Sequence, residues 1–574
     1  MQVFAGLTAL TLWQMQDTLS IVISPPEKHF DPRVTRSGAV TMSQNESTRR
    51  GFLQAAGVAV AGLPATPKFG AGWTEPAAQP RSIVDVRAYG AKGDGRSLDT
   101  LPVNRAIEAA ANAGGGTVVF PAGTYLCYSI HLKSKVALEL GMGSTILAAD
   151  PPAENNGAGY DLAEPNQPWE AYQDFGHNHW HNSLLWGENL EDVAIHGPGL
   201  IWGKGLSRGE GPGPVAEHAG VANKAVALKN CRNVLLRDFS ILHGGHFGIL
   251  ATGVSNLTID NLTIDTQRDG IDVDCCRNVR ISKCTINSPW DDAICLKSSF
   301  ALGYACNTEM VTISDCMVSG SYLEGAVLDG SFKRFPPTSD VDRNGRIKFG
   351  TESNGGFKNI TISNCVFDGC FGVAILSVDG AEIEDVTISN ITMRGTVASP
   401  IFLRLGSRMR GPAGVPVGSI RRVNISNVVG SSGSSQICSM LVGIPGHPVE
   451  DVTIRNILIQ HSGGGSRQDA ALQLPENEKE YPEPTMFGTT PAHGFYIRHA
   501  KRIEISDYKV LAHNKEERPC FILEEVEGAV FSNIAFPETQ EAPRFLLTNV
   551  KDFRILGSRP VADAEIKEAK RQEI

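Results

Sequence analysis

Residues 233–281 read NVLLRDFSILHGGHFGILATGVSNLTIDNLTIDTQRDGIDVDCCRNVRI, and three times an Asn opens a short alternating strand: Asn233-Val-Leu-Leu, Asn256-Leu-Thr-Ile and Asn278-Val-Arg-Ile. The starts lie 23 and 22 residues apart. Short alternating runs bounded by Gly, Asn and Asp read as strands. A unit of this length with two or three strands indicates a β-solenoid, since one coil cannot bury its inner face without neighbours. The same opening recurs at Asn359-Ile-Thr-Ile, Asp385-Val-Thr-Ile and Asp451-Val-Thr-Ile, at longer spacings that place insertions between coils. A leucine-rich repeat would need Leu at fixed places with helices between, and a propeller would need longer antiparallel units. The expected fold is therefore all-β, a stack of parallel coils.

Working outward, residues 83–125 open this domain, and 99–113 carry a helical pattern with Asp99 or Thr100 as N-cap and a Gly run as stop. A short N-terminal helix here would cap the open end of the solenoid. No linker separates 125 from 555, so 82–558 is expected to be one domain. Residues 559–574 are a charged tail, expected to be frayed or helical.

Upstream, residues 47–65 read STRRGFLQAAGVAVAGLPA. The pair Arg49-Arg50 before an Ala- and Gly-rich apolar run is similar to a twin-arginine export signal. Such signals lie near the start of translation, so Met42 is expected to be the true start, with residues 1–41 a mis-called extension and 42–75 signal and linker. The mature protein would be exported, periplasmic or extracellular. No apolar run reaches the roughly 18 residues of a membrane span.

The chain has 574 residues, 41% of them hydrophobic and 20% charged, which is a globular balance. A formal charge of −10 argues against a nucleic-acid partner but permits a local basic cleft. The chain is expected to be a monomer. Twelve Cys form no CxxC pair and no zinc-like Cys/His pattern. Cys284, Cys316 and Cys365 follow strand-like runs, so buried free thiols are expected rather than a disulfide framework.

Chemistry appears when two coils are aligned. Residues 269–273 read Asp-Gly-Ile-Asp-Val and 292–296 read Asp-Ala-Ile-Cys-Leu, so Ile271 matches Ile294 and Val273 matches Leu296. Asp269 should stack beside Asp292 at about 4.8 Å, the inter-strand spacing, with Asp291 adjoining. Carboxylates this close raise at least one pKa. A glycosidase needs that arrangement: one protonated carboxyl for the leaving oxygen, one ionised carboxylate for water or the sugar.

The segments QRDGIDVDCCRNVRI (267–281) and PWDDAICLKS (289–298), with RAYGAKGDG and GGGTVVFPAGTY near the N-terminus, resemble glycoside hydrolase family 28, the polygalacturonases. In that family an Asn-Thr-Asp-Gly motif is followed one coil later by an Asp-Asp pair. Here Gln267-Arg268 replaces Asn-Thr. The resemblance implies a right-handed parallel β-helix and an inverting hydrolase acting on galacturonate-containing pectin, with no cofactor and no metal. It implies Asp291 as general acid and Asp269 and Asp292 as holders of the attacking water, with acid and base about 6.5–9.5 Å apart. It also implies a Gly-His-Gly and an Arg-Ile-Lys downstream. The coil NGRIKFGTESNGGFKNITISN (344–364) has Gly345 where the His should fall, and Arg346-Ile347-Lys348 one coil early. Either Arg346 and Lys348 are the family's substrate binders and the His is lost, or both motifs have diverged and 321–344 is an insertion shaping the cleft.

Lys297 belongs to the same pattern as a substrate-binding residue. His246 and His243 lie one coil before Asp269 and could line the cleft or replace the lost His. Arg404, Arg408, Arg410 and Arg498 are candidates for uronate carboxylates, which arginine meets bidentately. His177, His179 and His181 alternate in GHNHWHN and could hold a metal, although solvated or aromatic-rim histidines are the commoner case. Two other readings stand beside hydrolysis: a lyase or uronate epimerase with Ca²⁺ on the Asp cluster, and a glycan-binding β-helix without turnover.

Overall fold

The computed structural model describes residues 82–574 except 153–158, 210–217, 337, 340, 435 and 538–540. The expected upstream extension, export signal and linker lie outside the described residues. The chain is a right-handed parallel β-helix, the solenoid that the 22- and 23-residue spacing indicated and the form that the family resemblance implied. Strand Asn-bearing Arg232–Arg237 pairs in parallel with Ser255–Asp260, that with Arg277–Ser282, and that with Thr308–Ser314. Val234, Leu257, Val279 and Val311 stack in one buried column, as do Leu236, Ile259, Ile281 and Ile313. These inward columns form the single long core of the solenoid.

The recurrent Asn has a backbone cause. Asn233, Asn256 and Asn278 have φ of 58°, 57° and 56°, the left-handed region that Asn tolerates better than other residues bearing a Cβ. The bend also aligns their amides: Asn256 Nδ2 donates to Asn233 Oδ1 at 2.9 Å and Asn278 Nδ2 to Asn256 Oδ1 at 3.1 Å. A second ladder runs through Asn364, Asn390, Asn427 and Asn456.

The capping helix spans Thr100–Asn112 and buries Val103, Ala106, Ile107 and Ala110 against the first coils. Asp99 is its N-cap residue by position, but its carboxylate accepts from the Lys92 and Gly93 amides instead of capping the helix. At the other end the charged tail is neither frayed nor helical. Ala564–Glu573 is a strand, antiparallel to Phe545–Leu556, and Val561 and Ala569 cover the last apolar coil. All twelve Cys are free thiols, eleven of them buried. No helix among the described residues is long and apolar enough to cross a membrane.

Candidate active site

The two aspartate coils stack in the expected register, Ile271 on Ile294 and Val273 on Leu296. Main-chain bonds fix the approach: Gly270 N donates to Asp292 O at 3.0 Å and Ile271 N to Ala293 O at 3.0 Å. Gly270 permits this contact, since a Cβ there would meet Ala293 O at 2.5 Å. One carboxylate oxygen from each of Asp269, Asp291 and Asp292 lies within 4.8 Å of the others. That is tighter than the acid–base gap of 6.5–9.5 Å expected from the family's inverting chemistry. Adjacent coils hold the carboxyls nearly at inter-strand spacing. A water hydrogen-bonded to two of these oxygens still fits, because two bonds of about 2.8 Å span more than that gap.

The next coil settles where Arg-Ile-Lys lies. Ile347 pairs with Ile294 and Lys348 with Cys295, so the motif sits on the coil directly after the Asp pair, and the inserted segment 320–344 precedes it. Gly345 N donates to Asp291 O at 2.8 Å, and Gly345 has φ of 49°. A Cβ at this position would meet Ser319 O at 2.3 Å, so no histidine side chain can occupy it.

Arg346 and Lys348, expected to bind substrate, are instead buried and committed within the protein. Arg346 Nε donates to Asp292 Oδ1 at 3.0 Å, its Nη2 pairs with Glu483, and Lys348 Nζ pairs with the second Asp292 oxygen. Burial alone would raise the Asp292 pKa, but Lys348 and Arg346 outweigh it and hold the carboxyl below its usual range. Asp269 is the opposite case. Burial, then Asp272 and Asp291, push it well up, and its Oδ1 has no hydrogen-bond partner. Asp291 is also raised, by burial and Asp292, although Arg268 lies 2.8 Å from its Oδ2 and pulls the other way. Asp291 is the most accessible of the three, with a side chain 21% exposed.

Lys297 is likewise withdrawn from any substrate. Its Nζ lies 3.2 Å from Glu352 and 3.7 Å from Asp272, in a buried network completed by His177. His177 Nε2 is 3.2 Å from Asp272 and Nδ1 is 3.2 Å from Glu352. Burial disfavours its charge, but Glu352 and Asp272 push the imidazole up to about 10. His179 meets Asn166 and His181 meets Glu188, so the three alternating histidines serve three separate places and do not form one metal site.

His246 does not contact the carboxylates. It is buried against Phe175 and Phe247, bonds the Arg208 carbonyl at 2.8 Å, and presents Nε2 at 3.4 Å to Arg268. Burial, then Arg268, keep it neutral, so it acts as an acceptor that orients Arg268. Arg404 is a correction too: its guanidinium is buried over Phe487 and donates to the carbonyls of Gly443, Glu476 and Asn477. Arg498 is spent the same way on Leu474 and Pro475, and Arg408 on Asp379.

The residues missed from the sequence are Arg268, Asp272 and Glu352, and His177, read there as a possible metal ligand, belongs to the buried network instead. Arg268 stood in plain view as the departure from Asn-Thr. Asp272 lies in the quoted DGIDV run between the inward Ile271 and Val273, and strand alternation is the signal that it faces outward. Glu352 meets His177 from a remote segment, and nothing local in the sequence joins the two.

Residues 220–392 match the family described as right handed beta helix region, and 83–157 match rhamnogalacturonase A/epimerase, pectate lyase-like. A probable polygalacturonase of Vitis vinifera is 24% identical over 437 residues, covering 72% of this chain and 81% of that one. Among solved structures, the family 28 exopolygalacturonase of Yersinia enterocolitica aligns with TM-score 0.52 at 17% identity, covering 84% of this chain and 79% of its own. An exopolygalacturonase from Thermotoga maritima aligns with TM-score 0.51 at 18% identity, covering 86% and 94%. Those two structures match the fold, and the grape relative matches the sequence across most of its length. The chain is a divergent, family-28-like right-handed parallel β-helix protein.

Proposed function

We propose that the protein is a pectin-degrading glycoside hydrolase of the polygalacturonase type, with Asp291 as general acid and Asp292 as the ionised carboxylate that activates water. The observation that carries this reading is the unequal pairing of neighbouring carboxyls: Lys348 and Arg346 both hold Asp292 and pull its pKa down, while burial pushes Asp291 and Asp269 up and Asp291 meets only Arg268. Opposed pKa values on adjacent carboxyls are what acid–base hydrolysis requires. Asp269, whose burial favours the protonated form, would donate to the attacking water, and the remaining lone pairs of Asp292 would accept from it. Arg268, at the mouth beside Asp291, is the cation best placed to meet a uronate carboxylate. The Asp cluster suits Ca²⁺ poorly, because Lys348, Arg346 and Arg268 already supply its positive charge. That weighs against the lyase or epimerase reading.

An exo mode follows from the surrounding segments. Asp174 pairs with Arg410 at 2.7 Å, Arg208 with Glu324 at 2.9 Å, and Glu483 with Arg346 of the coil beside Asp292, so three separate ion pairs fasten the inserted segments on this side of the coils. A groove enclosed in this way suits a chain end better than a chain middle. Export through the Arg49-Arg50 signal is part of the same proposal and accords with an extracellular polymer as substrate.

The test is Asp291→Asn with polygalacturonate and rhamnogalacturonan. New reducing ends without ultraviolet-absorbing product are expected from the parent, and a loss of about 10³-fold or more in the variant. Proton NMR of the first product should show the inverted anomer. Full activity in the variant, or an unsaturated product removed by EDTA, would overturn the assignment.

A further inference from the structure

A second pocket, with a volume of about 380 Å³, opens at the other end of the same strands. Glu188 and Lys229 close their strands, Leu185–Glu188 and Lys224–Lys229, whereas Asp269 opens Asp269–Asp274. Lys229 is in register with Thr252 and then Asp274. From Lys229 to Asp269 is thus two coils and five residues, about 10 Å by about 17 Å at ordinary strand spacing and rise. Trp180, Phe247, Leu250 and Ala301 pack as an apolar wall on this face. The pocket is separate from the carboxylate cluster.

Its lining has an unmet requirement. Asn178 is only 3% exposed, it lines the pocket, and neither its amide oxygen nor its amide nitrogen has a partner. A buried amide without hydrogen bonds is costly and calls for a ligand or water. Glu164 Oε1, in the same lining, is also buried without a hydrogen bond, while its Oε2 accepts from Trp180 N at 2.8 Å. Trp169 and Tyr304 supply aromatic surface, and Tyr304 is 55% exposed. The one ammonium, Lys229, is already neutralised by Glu188 at 3.0 Å and lies over the Trp180 ring.

We propose that this pocket is a non-catalytic subsite for an uncharged sugar unit. Sugar hydroxyls both donate and accept, which matches the Asn178 amide and Glu164 Oε1, which has His181 Nε2 at 3.6 Å but no hydrogen bond, and sugar C–H faces pack on aromatic rings. The volume falls within the ordinary range for small-ligand pockets. A uronate would instead bring its carboxylate against Glu164 and Glu188, with Lys229 already paired. Glu164, His181 and Glu188 do converge within 4.8 Å, but Lys229 occupies the charge that a divalent cation would need. The inference is independent of the hydrolytic reading, since it concerns binding at a different place.

Isothermal titration of the full chain with galactobiose, arabinobiose, digalacturonate and MnCl₂ tests it. Saturable binding of a neutral disaccharide is expected, weakened about tenfold or more by Tyr304→Ala and by Asn178→Ala, with hydrolysis of polygalacturonate unchanged. Digalacturonate should not displace it. Tyr304 is exposed, so Tyr304→Ala keeps the fold even if loss of Asn178 disturbs it. Absence of saturable heat with both neutral disaccharides, displacement by digalacturonate, affinity unchanged in Tyr304→Ala, or binding of Mn²⁺ alone would each overturn the proposal.

Discussion

At the scale of the residue, the site is governed by which carboxylate is given a cation. Asp292 receives two, Lys348 and Arg346, from the next coil; Asp269 has none in direct contact; Asp291 has Arg268. A cation favours the ionised form, so removing one raises the carboxylate pKa. Lys348→Met should therefore move the acidic limb of the kcat/KM profile to higher pH, by about one unit or more. The limb belongs to Asp292, which must be ionised, and the sign follows from that. An unmoved acidic limb would show that Asp292 is not the working base. The alkaline limb should belong to Asp269 and Asp291 titrating as a pair, since both are raised and each lifts the other or its neighbour. The aspartates were legible in the sequence because one strand register decides where all three go. The fate of Arg346 and Lys348 was not, because a motif does not reveal whether its cations face substrate or a carboxylate.

At the scale of the element, the recurring coil is held by its bend. Asn256 accepts from Asn278, donates to Asn233, and sits at positive φ. Asn256→Ala loses both ladder bonds and the left-handed tolerance, for about 1–3 kcal/mol. Asn256→Gly loses only the bonds and should cost about 1 kcal/mol. Urea titration at unchanged m-value separates the two, and equal losses would mean that the backbone conformation contributes nothing. The Asn in each repeat was visible at once, while its reason, an αL bend that stacks amides between coils, needed the dihedral angles. The tail shows the reverse case. Residues 564–573 carry alternating charges that suggested fraying, yet they form a strand because the last coil leaves an unpaired edge and an open core end.

At the scale of the whole molecule, a regular solenoid becomes a pocket through its insertions. Asp174, Glu324, Arg410 and Glu483 come from four separate segments: Asp174 pairs with Arg410, Glu324 with Arg208, and Glu483 with Arg346 beside the catalytic carboxylates. An enclosed site should release short products from chain ends. The viscosity of polygalacturonate should then fall slowly relative to the appearance of reducing ends, and monomer or dimer should dominate from the earliest times. A rapid early viscosity drop would show internal cleavage and a groove open at both ends.

The repeat of 22 and 23 residues, the stacked Asp269 and Asp292 and the capping helix were determined by the sequence itself, because stacking coils translate sequence offset directly into spatial contact. That Gly345 stands where the implied histidine should fall was legible too, while its φ and the Ser319 carbonyl, which exclude that side chain, came from the fold. The tertiary structure alone decided that His177 and Glu352 complete the buried network behind the site, that Arg404 binds carbonyls, and that Asn178 is left without a partner. Those contacts join segments up to about two hundred residues apart across loops with no repeat. No periodicity connects such residues, and only the folded chain brings their charges and amides to hydrogen-bonding distance.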